Sequence, residues 1–401
     1  MKKKLVICGG GSSAHTLIPL LDGSIFDVSI YTSRPAQWHS RIDLEWHNPV
    51  GEVLGTYSGT LTAASSNPAE LIPSADYIVF CMPVHQYRVA LHAIAPYIDH
   101  HKTVFIGTLY GQGGWNWMIN EVKTLYGLDN IVAFAFGLIP WVCRIIQYGK
   151  TGVTYGCKAT NYAACTPASY FPTINAELLD HICHHWFGKG AVQQCSNFLS
   201  LTLSVDNQII HTSRCLGLYK VHGLTWQHRD DVPWFYKDYD DLSANLLSSL
   251  DAEYTLVRNA IKALHPERDY RYMMDYLALE RFSYQSHNTD IKQSFVTSQT
   301  LTSIGTPVVQ NAEGLWEIDR TSRFFLDDIY YGNCIAKWMA EQLGIPTPTI
   351  DEILRWAQMV RQEAIIGPDN HLLIDSPDLK EPMKSGIPAY YGFHTIEDCI
   401  D

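Results

Sequence analysis

The chain has 401 residues, of which 46% are hydrophobic and 17% charged, and its formal net charge is −12. A single hydrophobic core rarely grows beyond roughly 250–300 residues, so the length predicts two domains, and the apolar fraction excludes long disordered tracts. The negative charge argues against nucleic acid or an anionic membrane as a partner, because both bind basic surfaces.

The first half of the chain reads as short apolar strands that alternate with helices. The pattern predicts strands at 3–8, 28–32, 77–81, 104–107 and 131–136, helices near 14–21 and 83–95, and an edge hairpin within 51–64. This alternation predicts an α/β fold, a doubly wound parallel sheet with helices on both faces. The apolar stretch after the lysines at 2–4 is too short for a signal peptide, and the apolar run 131–142 is too short to span a bilayer.

A glycine-rich turn lies between the first predicted strand and the first helix. Residues 9–14, GGGSSA, fit G-x-G-x-x-A in the context that a dinucleotide fingerprint requires. Gly9 would form the tight turn, Gly11 would admit a pyrophosphate, and Ala14 would allow helix and strand to pack closely. The backbone N–H groups of Ser12 and Ser13 would face the phosphates. The alternative is a glycine turn that binds nothing.

The end of the second strand bears on the choice of cofactor. NAD sites usually place a carboxylate there to bind the ribose hydroxyls, whereas this strand ends in Thr32-Ser33-Arg34. Two hydroxyls and a guanidinium suit the 2′-phosphate of NADPH. The sequence therefore favours NADPH. Binding of NADH without an acidic clamp, with Arg34 as a solvated loop charge, is the alternative.

The second half of the chain changes to helical periodicity. Apolar residues recur at helical spacing through 242–264 and again through 328–343, where Gly344 and Pro346 end the pattern. Thr349 and Glu352 have the spacing of a capping box and predict the start of another helix. We expect a Rossmann dinucleotide-binding domain over residues 1–203 and a mainly α-helical substrate domain over 204–401.

Two segments of the second half offer catalytic candidates. His211 follows the expected domain boundary, where a cleft would form, and Asn207 lies one helical turn before it. In residues 320–328, Arg323 would bind a substrate carboxylate and Asp328 would orient His211. The alternative is structural: a satisfied core histidine, with Arg323 paired to an aspartate near a helix N-terminus.

The remaining histidines and cysteines give weaker signals. Residues 181–185, HICHH, have no partner with metal-ligand spacing, so no metal site is predicted. The ten cysteines are scattered without a CxxC pair. That pattern predicts reduced thiols and a cytoplasmic location.

Seven segments together resemble the opine dehydrogenases, especially the octopine dehydrogenase type, and also the relatives that make opine metallophores. In chain order they are 8–16, 111–114, 139–144, 207–211, 233–236, 323–328 and 391–395. The resemblance implies a Rossmann domain and a helical domain, with the reaction in the cleft between them. It also implies an NAD(P)H-dependent enzyme that condenses an amino acid with a 2-oxo acid such as pyruvate and reduces the imine.

The resemblance assigns roles by position. His211 is implied as the acid/base, Asp328 as its orienting carboxylate and Arg323 as a ligand of the substrate carboxylate. Gln112 and Cys143 are implied to border the nicotinamide and oxo-acid site. Arg144 and Asn207, in matching segments, are further substrate-binding candidates.

The chain departs from the family pattern around the histidine, where Gln208 and Thr212 replace two prolines. Two other functions stay open. A 2-hydroxy-acid dehydrogenase or ketopantoate-type reductase would share the two-domain plan but would typically use a lysine base, and Lys220, Lys237 and Lys262 lie in no recognisable motif. A non-enzymatic sensor that binds NADPH is the other. The sequence leaves the substrate pair and the oligomeric state undetermined.

Overall fold

Buried apolar runs form several of the strands in the first half of the chain. The computed structural model describes residues 2–298, 301–302, 304–380 and 385–400, so Met1 and Asp401, the outer bounds of the expected domains, lie outside the described residues. The strands are β1 (Lys3–Cys8), β2 (Phe26–Tyr31), β3 (Arg41–His47), β4 (Val53–Thr60), β5 (Ala63–Ser65), β6 (Tyr77–Phe80), β7 (Val104–Thr108), β8 (Ile131–Phe136), β9 (Trp141–Gln147), β10 (Thr151–Cys157), β11 (Thr160–Thr166) and β12 (Ala191–Cys195).

A large sheet organises this half, with the strand order β12-β11-β8-β7-β6-β1-β2-β5. Its pairs are parallel except β11 with β8, which is antiparallel. The helices of this half are α1 (Ser12–Leu20), α2 (Pro68–Leu71), α3 (Tyr87–Ile94), α4 (Trp115–Tyr126), α5 (Phe171–Ile174) and α6 (Phe198–Leu203). The predicted doubly wound sheet is confirmed.

Alternation along β1 explains why both faces of this sheet are covered. Leu5 and Ile7 point into a core that contains α1, whereas Val6 and Cys8 point into a core that contains α3 and α4. All four residues are at most 2% exposed. The second core continues without a break into the helical half of the chain. The two halves therefore share one apolar cluster.

A second sheet, of order β4-β3-β10-β9, packs beside α1. The hairpin predicted within 51–64 was wrong in its pairing, because β4 pairs with β3 instead, while β5 joins the edge of the large sheet. The missed signal was the alternation in β3, where Ile42 and Leu44 are buried. The Asn48 side chain closes the turn by accepting from the backbone N–H groups of Val50 and Glu52.

The second half is mainly helical, as predicted. Its elements are α7 (Asn207–His222), β13 (Thr225–Trp226), α8 (Asp241–Leu264), α9 (Tyr276–Tyr284), α10 (Ile291–Val296), β14 (Val308–Gln310), β15 (Trp316–Ile318), α11 (Arg323–Leu326), α12 (Cys334–Gln342), α13 (Pro348–Arg361), α14 (Pro377–Lys380) and α15 (Ile396–Cys399). A π-helical turn at Ile329–Asn333 leads into α12. Across the described residues, no helix is both long and apolar enough to cross a membrane.

The capping box predicted at Thr349 and Glu352 was wrong. Helix α13 begins with Pro348, whose fixed φ suits a first helical position, and no side chain of its own segment caps it. The buried Glu253 of α8 accepts instead from the backbone N–H groups of Thr349 (2.6 Å) and Ile350 (2.9 Å). A tertiary contact thus replaces the local cap.

Candidate active site

The glycine turn connects β1 to α1 at the carboxyl edge of the large sheet. Gly9 has φ +105°, and a Cβ at this position would lie 2.5 Å from the Cys81 carbonyl oxygen, so only glycine fits. A Cβ on Gly10 would lie 2.6 Å from the Tyr148 hydroxyl. No side chain caps the N-terminus of α1, which starts at Ser12. The turn therefore presents backbone N–H groups to an open space, as an anion site requires.

That space is a groove of about 740 Å³ along the turn. Its wall includes Gly9–Gly11, Tyr31–Arg34, Cys81–Pro83, Gln86 and Tyr148. The Arg34 guanidinium lies 4.1 Å from the centre of the Tyr148 ring, which holds it at the groove. Among the described residues that line the groove, none is acidic and Arg34 is the one cation. The groove therefore suits a ligand with several negative charges.

His15, on the second turn of α1, joins the glycine turn to the turn at Gly149 through two hydrogen bonds. Its Nδ1–H donates to the Gly11 carbonyl (2.9 Å), and its Nε2 accepts from the Gly149 backbone N–H (2.7 Å). The neutral imidazole satisfies both contacts, whereas the charged form would lose the second one. Burial lowers the pKa of His15 and outweighs its hydrogen bond to Gly11, so the neutral form is favoured.

This neutral histidine gives a testable pH dependence of stability. The folded chain binds the proton at His15 less readily than the unfolded chain, whose histidine pKa is about 6.5, so stability is lost as pH falls through that value. Between about pH 7.5 and 5.5, His15→Gln, whose amide can keep both contacts, should lose about 1 kcal/mol less unfolding free energy than the natural chain. Urea unfolding at both pH values measures this difference.

The control for that experiment is His101→Gln, at an exposed position in the turn before β7. It should show the same pH dependence as the natural chain. An identical loss of unfolding free energy in His15→Gln and the natural chain would contradict the role given to His15.

The second cluster is built by α7, α11 and the residues that follow α11. His211, 1% exposed, lies on the second turn of α7, and Asp328, 3% exposed, precedes the π-helical turn. The His211 Nδ1–H donates to Asp328 Oδ2 at 2.7 Å, across 117 residues of sequence. The Phe324 ring stacks on the imidazole, with centroids 3.7 Å apart. Stacking and the carboxylate together fix the ring plane and the tautomer.

Burial shifts the titration of this pair. It lowers the pKa of His211, and the nearby Arg323 charge lowers it further. Burial also raises the pKa of Asp328, which the Arg323 charge opposes. At neutral pH the imidazole is therefore neutral and able to accept a proton.

Arg323, at the start of α11, is exposed to solvent, and ionisable side chains of the protein lie near enough to shift its pKa. Desolvation would lower its pKa, but the nearby carboxylates of Asp328 and Asp327 outweigh that effect and raise it. The described contacts include no carboxylate within ion-pair distance of its guanidinium. A fixed cation beside a neutral histidine can therefore bind an incoming carboxylate.

One of the contacts that join the two halves is made by Asp327, next to Asp328. Its carboxylate accepts from the backbone N–H groups of Val84 (3.3 Å) and His85 (3.0 Å) and lies 2.6 Å from His85 Nδ1. Pro83 and Gln86, on either side of these residues, line the groove. The His211–Asp328 pair therefore lies beside the groove wall.

Gln112 also spans the two halves. Its amide nitrogen donates to the carbonyl oxygens of Gly137 (3.3 Å) and Ser204 (2.9 Å), and its amide oxygen accepts from the Tyr110 hydroxyl (2.8 Å). It is fully buried, so its described contacts tie the halves together.

The side chains of three other residues named from the sequence have no described hydrogen bond to His211. Cys143 is buried on β9 against Ser13 and Thr16 of α1, and burial raises its pKa. Arg144 is exposed on the same edge strand, and its guanidinium donates to the Cys143 carbonyl (2.7 Å). Asn207 is the half-buried first residue of α7, one turn before His211.

Sequence reasoning gave no role to Tyr236, which contacts His211, or to the Asp327–His85 contact. Only the resemblance of 233–236 pointed to the tyrosine, and no local pattern reveals a contact across 242 residues.

At 181–185, the His181 and His185 rings stack with centroids 4.6 Å apart. Within the described parts of the chain, no three histidine, cysteine or acidic side chains come together as a metal site.

The chain is similar in sequence to known proteins. Residues 194–361 match the family model described as NAD/NADP octopine/nopaline dehydrogenase, alpha-helical domain. The chain is 24% identical over 426 residues to the opine dehydrogenase of Haliotis discus hannai, and the alignment covers 100% of both chains.

Two solved structures share the fold. An octopine dehydrogenase in complex with NADH and agmatine aligns over 100% of this chain and 98% of its own, with a TM-score of 0.82 and 21% identity. An NADP+-bound yersinopine dehydrogenase aligns over 98% of this chain and 99% of its own, with a TM-score of 0.64 and 15% identity. The likeness therefore extends over both halves of the chain.

Proposed function

Because the chain belongs to the opine dehydrogenase family, we propose that it joins an amino acid to a 2-oxo acid such as pyruvate by reductive condensation. The product is an N-(carboxyalkyl) amino acid. The observation that carries the proposal is the pairing of neutral His211 with Asp328 beside Arg323, whose described contacts include no carboxylate within ion-pair distance.

NADPH is the proposed cofactor, and it would supply the hydride that reduces the imine. Gly9, Gly11 and the N–H groups of Ser12 and Ser13 would hold the pyrophosphate, with Ala14 packed behind them. The lack of an acidic side chain among the described groove residues supports NADPH. Thr32, Ser33 and Arg34 would bind its 2′-phosphate, and NADH is the alternative. Among the solved structures that share the fold, the octopine dehydrogenase holds NADH and the yersinopine dehydrogenase holds NADP+.

Arg34 offers a direct test of this choice. Arg34→Ala removes a charge-assisted contact worth roughly 1.5–3 kcal/mol, so the Kd for NADPH should rise about 10- to 100-fold while the Kd for NADH changes little. Fluorescence titration measures both constants. Arg41→Ala, which removes an exposed arginine of β3 that pairs with Asp43, is the matched control. Equal effects of Arg34→Ala on both cofactors would contradict a 2′-phosphate contact.

The oxo acid is proposed to bind through its carboxylate to Arg323. A planar guanidinium can hold a carboxylate by two parallel N–H donors, which fixes the direction of the ketone. Asn207, Gln112, Cys143 and Arg144 remain the other proposed substrate-site residues. Of these, Asn207 lies nearest in sequence to His211, and Cys143 contacts Ser13 and Thr16 of α1.

His211 is proposed to move one proton in and out of the site. An amino acid arrives as an ammonium ion, which cannot attack a ketone until it loses a proton, and the neutral imidazole accepts that proton. The charged imidazole then returns it to the hydroxyl of the addition product, which leaves as water as the iminium forms. The carboxylate of Asp328 stabilises the charged ring between these steps.

Exclusion of water is the second task of the fold, since water hydrolyses an imine. The proposed boundary at residues 203 and 204 lies between β12, the last strand of the large sheet, and α7, which carries His211. Gln112 and Asp327 hold the two domains together across it.

All ten cysteines lie in the described part of the chain with free, buried thiols, which supports the proposed cytoplasmic location.

A matrix assay tests the proposal. NADPH and NADH oxidation is followed with a panel of amino acids crossed with pyruvate and other 2-oxo acids, and the condensation product is identified by mass. Oxidation that requires both an amine and an oxo acid supports the function. Oxidation with an oxo acid alone would indicate a hydroxy-acid dehydrogenase or ketopantoate-type reductase. Tight NADPH binding without any turnover would indicate a sensor.

A further inference from the structure

Both ring nitrogens of His211 are engaged. Nδ1 donates to Asp328, so Nε2 is the acceptor, and the Tyr236 hydroxyl lies 3.2 Å from it. At 1% exposure the imidazole itself has almost no contact with solvent. The Tyr236 oxygen is therefore the described group through which a proton can reach or leave Nε2.

Tyr236 is held in place by aromatic packing in the segment between β13 and α8. Its ring contacts Phe235 edge-on, with centroids 4.9 Å apart, and Phe295 of α10 at 5.4 Å. In its described contacts, the hydroxyl bonds to His211 and to no other group. The oxygen therefore keeps a lone pair free for a second partner.

The charges around this hydroxyl come from three parts of the fold. Burial raises the pKa of Tyr236; Arg323 opposes this rise, and Asp206, Tyr239 and Asp328 add to it. The phenol is therefore protonated at neutral pH and can donate. Its neighbour Arg323 is the residue proposed above to hold the oxo acid, which would place the ketone near the Tyr236 oxygen.

We propose that Tyr236 is a catalytic residue that carries protons between His211 Nε2 and the reacting groups. This inference rests on the proposed function. It makes Asp328, His211 and Tyr236 a three-member chain with the tyrosine as its outer end.

The steps balance without a net change in the enzyme. The substrate ammonium gives a proton to the Tyr236 oxygen as the phenolic proton moves to His211 Nε2. The free amine forms the N–C bond, and proton transfer within the adduct gives the carbinolamine. Tyr236 then protonates its hydroxyl and regains a proton from His211. The C–O bond breaks, water leaves, and the iminium is ready for hydride.

Tyr236→Phe tests the proposal, because it removes one oxygen and keeps the packed ring. The expected result is a fall in kcat on the order of 10²-fold, with KM for both substrates and the Kd for NADPH changed little. Tyr239→Phe is the matched control: Tyr239 is a buried tyrosine three residues along whose hydroxyl contacts Ser213, away from His211. It should retain the natural kcat.

A second measurement does not depend on turnover. In protein labelled with ¹⁵N-histidine, the Nε2 resonance of His211 is assigned by its absence from the spectrum of His211→Ala. Tyr236→Phe should displace that resonance, and Tyr239→Phe should not.

The outcomes separate this inference from the proposed function. Natural kcat in Tyr236→Phe, equal losses of kcat in both tyrosine variants, or an unmoved Nε2 resonance would each overturn the relay. An inactive natural enzyme across the substrate matrix, with the Nε2 resonance displaced in Tyr236→Phe, would overturn the reaction while leaving the contact established.

Discussion

Replacement of His211 by alanine is expected to lower kcat by about 10²–10⁴-fold while the Kd for NADPH stays nearly unchanged. The imidazole pairs through Nδ1 with the buried Asp328 carboxylate and keeps Nε2 as a proton acceptor beside the Tyr236 hydroxyl. Without it, the substrate ammonium has no proton acceptor. The glycine groove, formed by other elements, is not altered by the change.

The His211→Ala change also affects stability, which must be measured together with the rate. Removal of the ring leaves the Asp328 carboxylate buried without its partner, which costs roughly 1–3 kcal/mol. Burial already raises the pKa of Asp328, so uptake of a proton limits that penalty. Circular dichroism and thermal unfolding establish that the variant is folded. A folded variant with kcat within about threefold of the natural value would contradict the assignment.

Replacement of Arg323 by alanine should mainly raise KM for the oxo acid, by about 10- to 100-fold, which corresponds to one charge-assisted contact of roughly 1.5–3 kcal/mol. Arg323→Lys should recover only part of this affinity, because an ammonium cannot make two parallel bonds to a carboxylate. Steady-state kinetics with the oxo acid varied at saturating amine give both values.

Two further arginines are compared with Arg323, one as a control and one as an alternative ligand of the carboxylate. Arg320, three residues earlier, donates to the Val360 carbonyl and pairs with Glu317, so Arg320→Ala should leave KM for the oxo acid unchanged. Arg144→Ala tests the other arginine in the proposed substrate site. A larger rise in KM for Arg144→Ala than for Arg323→Ala would transfer the carboxylate-binding role to Arg144.

The parts of the fold that local patterns control were predictable from the sequence. The glycine turn follows from its sequence motif. The strands β1, β6, β7 and β8 follow from continuous apolar runs, because both faces of the large sheet are covered. Helix α8 follows from its apolar spacing. The β3–β4 and β9–β10 hairpins were missed because their mixed polar and apolar sequence gives no continuous apolar run. The pairs β10 with β3, β11 with β8 and β11 with β12 join strands that are farther apart along the chain.

The candidate site was predictable only in part, and for a related reason. The His211–Asp328 pair bridges 117 residues, so resemblance rather than spacing brought the two together. The Tyr236 contact, 25 residues from His211, and the replacement of the α13 cap by Glu253, 96 residues from Thr349, also lie beyond any local pattern. Side chains whose partners lie far along the chain leave no periodic signal, and they were identified only once the elements were placed in space.

The contact between Asp327 and the first domain has a consequence for the timing of the proposed reaction. Adjacent Cα atoms are about 3.8 Å apart, so the carboxylate that grips the backbone of Val84 and His85 is one step along the chain from the carboxylate that aligns His211. A rotation that separated the domains would break these hydrogen bonds or tilt this dipeptide. Misalignment of the domains would thus suspend proton transfer, and condensation would begin only when the nucleotide half is seated against its partner.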